Sequence, residues 1–229
     1  MQGVARTGQT AAVENYLKTI WAVGEHDGGP VSATALAERL GLAASSVSGM
    51  LRRLTELGLV EHVRYGAVGL TPAGRAEALQ VVRRHRLVEM YLVAELGYGW
   101  DEVHDEAEEL EHVVSDLLVE RIDARLGHPV TDPHGDPIPG PDGTVQAVPA
   151  RRLSDLAAGE GGPLVRVDDR DPEVLRHLSA AGIALGQSVR LVERLPFGGA
   201  FVVTADGARH ELAPGLAAAV WIGAAEVAR

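Results

Sequence analysis

Residues 128 to 149, HPVTDPHGDPIPGPDGTVQAVP, contain half of the chain's 12 prolines and show no hydrophobic periodicity. Each proline removes an amide donor and fixes its own φ, so neither a long helix nor a central strand can run through this stretch. It reads as a linker or a rigid irregular loop, and it divides the chain. Before it, apolar residues recur mostly at helical spacing; after it, short alternating runs dominate. Helices first and strands afterwards imply an α+β chain.

In AAVENYLKTIWAVGE, residues 11 to 25, Val13, Leu17, Ile20 and Trp21 mark a first helix that HDGGP stops. Ser32 is placed to cap a second helix, ATALAERL, which halts at Gly41; a third, AASSVSGMLRRLTEL, ends at Gly58. Two short helices across a glycine turn have the layout of a helix-turn-helix. LVEHVR and VGLT, on either side of Tyr65-Gly66-Ala67, read as a β-hairpin, which makes the opening a winged helix. Thr71-Pro72 starts a long helix reaching to Gly97. VHDEAEELEHVVSD, residues 103 to 116, forms the next, and Ser115 or Asp116 begins another that stops at Gly127. Beyond the divider, LVRVDD, SVRLVER, AFVVTAD and ARHEL surround one helix, DPEVLRHLSAAG, as a small β-rich barrel.

With no cysteine in 229 residues, disulfides, thiolate metal sites and thiol catalysis are excluded, so any metal must be held by oxygen and imidazole nitrogen. No apolar run is long enough to span a membrane, and MQGVARTGQT lacks the layout of a secretory signal, so a cytoplasmic protein is expected. The net charge of -11 is uneven: residues 1 to 75 carry +1, residues 76 to 150 carry -11 and residues 151 to 229 carry -1. A basic surface near the N-terminus is therefore compatible with an acidic middle.

Read as one helix, the 103 to 116 stretch places Glu108, Glu111 and His112 at about 40°, about 340° and about 80° from His104, all on one face. Such a face repels itself unless a cation sits there. His85 and Glu89 form a second pair at i and i+4. A merely solvated acidic face is the bland alternative. Glu109 and His112 have the Glu-x-x-His spacing of di-iron carboxylate enzymes, but those bundles need the motif twice. Without HExxH, GxSxG or a phosphate-binding glycine loop, the chain does not read as an enzyme.

The ordered set of winged helix, RRHRLVE, VHDEAEELEHVVSD, DPHGDPIPG and terminal barrel resembles, over nearly the whole chain, the metal-dependent repressors of the diphtheria toxin repressor family, manganese transport regulator branch. The resemblance implies three domains: a winged helix-turn-helix DNA-binding domain over 1–72, an all-helical dimerisation and metal-binding domain with the Pro/Gly-rich linker over 73–149, and an SH3-like, FeoA-like β-barrel over 150–229. It matches His85, Glu89 and His104 to the family's ancillary metal site and Glu108, Glu111 and His112 to its primary site. Asn15 stands where iron regulators carry Met and manganese regulators Asp; Lys18 stands where some manganese regulators have a further acidic ligand. Asp171 falls about where the third domain lends a carboxylate, with Val174 in place of a polar partner. Iron-responsive members tend to have Cys at the position of Glu108, so the resemblance implies Mn(II), with Fe(II) as the alternative.

Ser45, Ser46 and Ser48 near the start of the third helix are candidates to touch phosphates or base edges, with Arg52, Arg53 and the wing's Arg64 and Tyr65 on the DNA backbone. Serines acting as caps, and arginines on a solvated face, are the structural alternative. The function implied is a manganese-dependent transcriptional repressor that binds double-stranded operator DNA as a homodimer, with two dimers on one operator left open. Its rivals are an iron(II)-dependent repressor of iron-uptake genes and, in another class, a di-metal carboxylate enzyme or metal buffer.

Overall fold

A computed structural model describes residues 10–27, 31–62, 66–146 and 148–224. The chain forms two compact units: Met1–His85 with Glu111–Val119 and Pro139–Thr144, and Arg86–Leu110 with Glu120–Ile138 and Val145–Arg229. No described helix is long and apolar enough to cross a membrane.

The first unit begins with α1 (Ala11–Asp27), α2 (Ala33–Leu40) and α3 (Ala44–Glu56). Val13, Tyr16, Leu17 and Ile20 of α1 bury one stripe against Leu36 of α2 and Val47, Leu51 and Leu54 of α3. Ser32 caps α2 by accepting from the Ala35 amide at 3.0 Å, and Gly41 ends it in the left-handed region with φ 63°. The hairpin follows as β1 (Val60–His62) and β2 (Val68–Leu70), antiparallel with Val60 opposite Leu70 and His62 opposite Val68; Val31 bridges Val68. Thr71 then caps α4 (Pro72–Leu96): its hydroxyl accepts from Gly74 N at 3.1 Å and donates to Gly58 O at 2.7 Å. A Cβ on Gly74 would lie 1.9 Å from the Leu59 carbonyl oxygen, so this start of α4 closes only around a glycine. The result is the winged helix expected from the sequence.

Helix α5 (Val103–Leu110), in the second unit, is shorter than the acidic stretch that carries it, and the chain turns through residues 111–114, in the first unit, before α6 (Asp116–Arg125), which Ser115 caps. The one-helix wheel over residues 103 to 116 is thereby corrected: Glu111 and His112 leave the helix and are directed by the turn. Residues 150–223 form a six-stranded, wholly antiparallel sheet in the order β3-β8-β4-β5-β6-β7. Its strands are β3 (Ala150–Arg152), β4 (Gly161–Val167), β5 (Ser188–Arg194), β6 (Phe201–Ala205), β7 (Ala208–Leu212) and β8 (Val220–Gly223). Register shifts at Leu164/Arg166 and Leu191/Glu193 bend the strands around a core with Leu175 and Leu178 of α7 (Pro172–Ala180). A short α8 (Pro214–Ala218) precedes β8. Strands β3 and β8 and helix α8 carry little alternation of their own and are not legible in the sequence.

The DPHGDPIP part of the Pro/Gly segment is a rigid irregular loop. The Asp132 carboxylate accepts from the amides of His134 and Asp136, each at 2.9 Å, and Val167 N donates to His134 O at 2.9 Å. Arg86 donates to Pro137 O at 2.7 Å, and Arg166 pairs with Asp136. Gly135, at φ +88°, lies so close to Val165 O that a Cβ there would meet it at 2.0 Å. Backbone groups that no helix or strand satisfies are thus bonded one by one to buried side chains.

Candidate metal centre

In the first unit, Glu14, Asn15 and Lys18 of α1, Arg84 and His85 of α4, and Glu111 and His112 of the turn carry the polar groups of a buried cluster. Glu111 is fully buried and accepts from Lys18 Nζ at 2.9 Å on each of its oxygens. His85 Nδ1 lies 2.6 Å from Oε2 of the same carboxylate, and His112 Nε2 lies 3.4 Å from Oε1. Burial opposes ionisation of Glu111, but the His85 and Lys18 contacts outweigh it and hold the carboxyl below its usual range. Glu14, also buried, accepts from Arg84 at 3.0 Å and lies 2.7 Å from His112 Nδ1. That contact orients the imidazole so that Nε2 faces Glu111. Asn15 Oδ1 is buried with no hydrogen-bond partner among the described residues.

The second unit has a cluster of its own. Donor atoms of Glu89, His134 and Asp169 all lie within 4.8 Å of one another, a span that one ion can bridge. Glu89 and the fully buried His134 come from α4 and the rigid loop, and Asp169 from the segment after β4. His104 Nδ1 lies 3.3 Å from Glu89 Oε1 and 3.4 Å from Asp169 Oδ2, and its Nε2 lies 3.7 Å from Glu108 Oε1. Burial disfavours charge on His104, yet Asp169 and Glu89 outweigh it and raise its pKa to about 10. His134 Nε2 lies 2.6 Å from the Trp100 carbonyl oxygen, to which it donates. Its Nδ1, 3.9 Å from Asp169 Oδ2, has no hydrogen-bond partner among the described residues. Two buried, unbonded acceptor positions, Asn15 Oδ1 and His134 Nδ1, beside buried carboxylates and imidazoles fit a divalent cation in each unit.

Three family models cover almost the entire chain: the iron-dependent repressor N-terminal DNA-binding domain over residues 9–68, the iron-dependent repressor metal-binding and dimerisation domain over 71–140, and the FeoA domain over 151–223. The diphtheria toxin repressor of Corynebacterium efficiens is 34% identical over 223 residues, spanning 90% of this chain and 93% of that protein. The chain belongs to the iron-dependent repressor family. Another relative, the iron-dependent repressor IdeR of Mycobacterium leprae, is 34% identical over 83% of this chain and 87% of its own length. A solved structure described as a manganese-dependent transcriptional repressor in complex with manganese superimposes with a TM-score of 0.89 at 50% identity, covering 93% of this chain and 99% of that one. The chain is thus a metal-dependent transcriptional repressor and not an enzyme.

In this repressor Asn15, His85, Glu111 and His112 fall in the first unit and Glu89, His104 and Glu108 in the second. Asp171, expected to lend a carboxylate, stands at the start of a helix. Its carboxylate accepts from Glu173 N at 3.0 Å as the N-cap of α7, because it directly precedes Pro172 at the helix start. From the segment between β4 and α7 it is Asp169 whose carboxylate reaches His104. Sequence reasoning missed Asp169, His134 and Glu14; the only available signals were the DPHGDPIPG motif for His134 and a buried helical position for Glu14. On α3, Ser45, Ser46, Ser48, Arg52 and Arg53 are all exposed, while Val47, Leu51 and Leu54 face the core. The N-cap of α3 is Ala43, without a side-chain cap bond, so the serines are not caps. Arg64 and Tyr65 lie outside the described residues.

Proposed function

We propose that this repressor is activated by Mn(II) and, as a homodimer in the cytoplasm, binds double-stranded operator DNA to control metal-ion homeostasis. The donor set carries this choice of ion. Asn15, His85, Glu111 and His112 in one unit, and Glu89, His104, Glu108, His134 and Asp169 in the other, offer only oxygen and imidazole nitrogen, in a chain without cysteine. Such a set suits a hard or borderline divalent ion. The likeness to a manganese-dependent repressor supports the same ion. Fe(II) is the second reading, favoured by relatives named for iron.

A bound ion supplies positive charge that lets mutually repelling carboxylates share one place. Everything else follows from the chain. The α1 stripe of Val13, Leu17 and Ile20 packs in the same core as Val47, Leu51 and Leu54 of α3. Holding Asn15 of α1 to His85 and Glu111 therefore fixes the base on which α3 rests. Ser45, Ser46, Ser48, Arg52 and Arg53 then meet phosphates and base edges. Because a two-fold dimer reads half-sites roughly 34 Å apart or a multiple of that, fixing this orientation selects the operator register. Metal and DNA binding are reciprocally coupled as a result. Occupancy by two dimers would appear as a second, slower gel-shift species.

The test is a gel-shift titration of promoter DNA with Mn(II), Fe(II) and Zn(II). Retardation is expected at the lowest concentration of Mn(II). A lower threshold for Fe(II) would establish the iron reading, and retardation indifferent to metal would overturn both.

A further inference from the structure

Lys18 is the single lysine among 21 lysine and arginine residues. Instead of standing on the surface, it is half-buried in the first unit's cluster, with its side chain 13% exposed against a fully buried Glu111. Its ammonium is equidistant, at 2.9 Å, from both oxygens of that carboxylate. It therefore occupies the chelating edge that a divalent cation would use. His85 at 2.6 Å and His112 at 3.4 Å flank the same group, and Asn15 lies one turn before Lys18 on α1.

We propose that Lys18 is a tethered cation that competes with the activating ion for Glu111 and so sets the metal concentration at which the repressor responds. The proposal rests on the metal-centre reading above. Screening by water is weak around the fully buried carboxylate, so the ammonium is not displaced freely. It neutralises Glu111 and ties α1 to the turn in the metal-free protein, and an ion must exchange for it. The choice of lysine suits exchange: a compact charge on a flexible stem can withdraw, whereas the planar fork of an arginine would grip both oxygens in fixed geometry.

The experiment is calorimetric titration of the purified repressor with Mn(II) alone, for the unmutated chain, Lys18→Met and Lys18→Arg. Lys18→Met keeps the stem and removes the charge, and is expected to bind Mn(II) about tenfold more tightly, while its metal-free form melts at a lower temperature. Lys18→Arg is expected to bind more weakly than the unmutated chain. Equal or weaker binding by Lys18→Met would overturn the proposal. In the unmutated chain, saturation with Mn(II) is expected to raise the acylation rate of the Lys18 amine, read by peptide mass spectrometry; an unchanged or lower rate would also overturn it. Glu111→Gln separates the two readings: undiminished Mn(II) binding there would remove Glu111 from the centre altogether, whereas its loss alongside an unimproved Lys18→Met would sink only the competition.

Discussion

His134 donates from Nε2 to the carbonyl oxygen of Trp100 at 2.6 Å, and this one bond fixes which ring nitrogen is offered to the carboxylates of the second unit. A metal-ligating histidine is commonly held in this way by a backbone acceptor on its other nitrogen. His134→Ala is expected to weaken the second unit's ion by at least about tenfold while leaving the first unit's ion in place. Calorimetric stoichiometry with Mn(II) checks this. Because the Trp100 and His134 rings stack at 6.4 Å, the unmutated chain should also report this ion through its tryptophan fluorescence.

The His104 proton gives a pH signature. Its folded pKa of about 10 lies above the ordinary 6.5, so its contribution to metal-free stability is fully present below pH 6.5 and is lost as pH rises towards 10. An ion must displace the same proton, so Mn(II) affinity should rise over that window. Urea midpoints of the metal-free chain across it should fall less for His104→Gln than for the unmutated chain.

Glu14 acts through His112. With Nδ1 of His112 against Glu14 at 2.7 Å, Nε2 is turned to Glu111. Glu14→Gln keeps the shape but removes the carboxylate that orients the His112 ring, and about tenfold weaker Mn(II) binding is expected. A gain in affinity, or none lost, in calorimetry would show that the orientation of His112 is set elsewhere.

Val113, Leu117 and Leu118 are 72%, 59% and 45% exposed, an apolar stretch at the start of α6 within the segment matched to the dimerisation domain. Exposed aliphatic side chains this near in sequence are where a second protomer is expected to pack. Leu117→Glu is expected to shift sedimentation equilibrium from dimer to monomer and to abolish operator binding, with helical content retained by circular dichroism.

Much of this molecule was legible locally. Val13, Leu17 and Ile20 announce α1 by spacing alone, Ser32 and Gly41 bracket α2, and Thr71-Pro72 opens α4 as expected. The missing cysteines and the acidic middle limit any metal to oxygen and imidazole donors. These features survive because capping, periodicity and residue chemistry depend on neighbours within a turn or two.

The ligand geometry depends on contacts between distant parts of the chain, and there only the tertiary structure decided. Asp169 rather than Asp171 reaches His104, because the later residue is spent on capping α7. Helix α5 ends at Leu110, so Glu111 meets Lys18 from 93 positions away instead of following a helical wheel. A shift of one or two residues is invisible to hydrophobic pattern, yet it decides which carboxylate comes within bonding distance of which cation. Sequence determined the kinds of donor available; packing determined which of them meet.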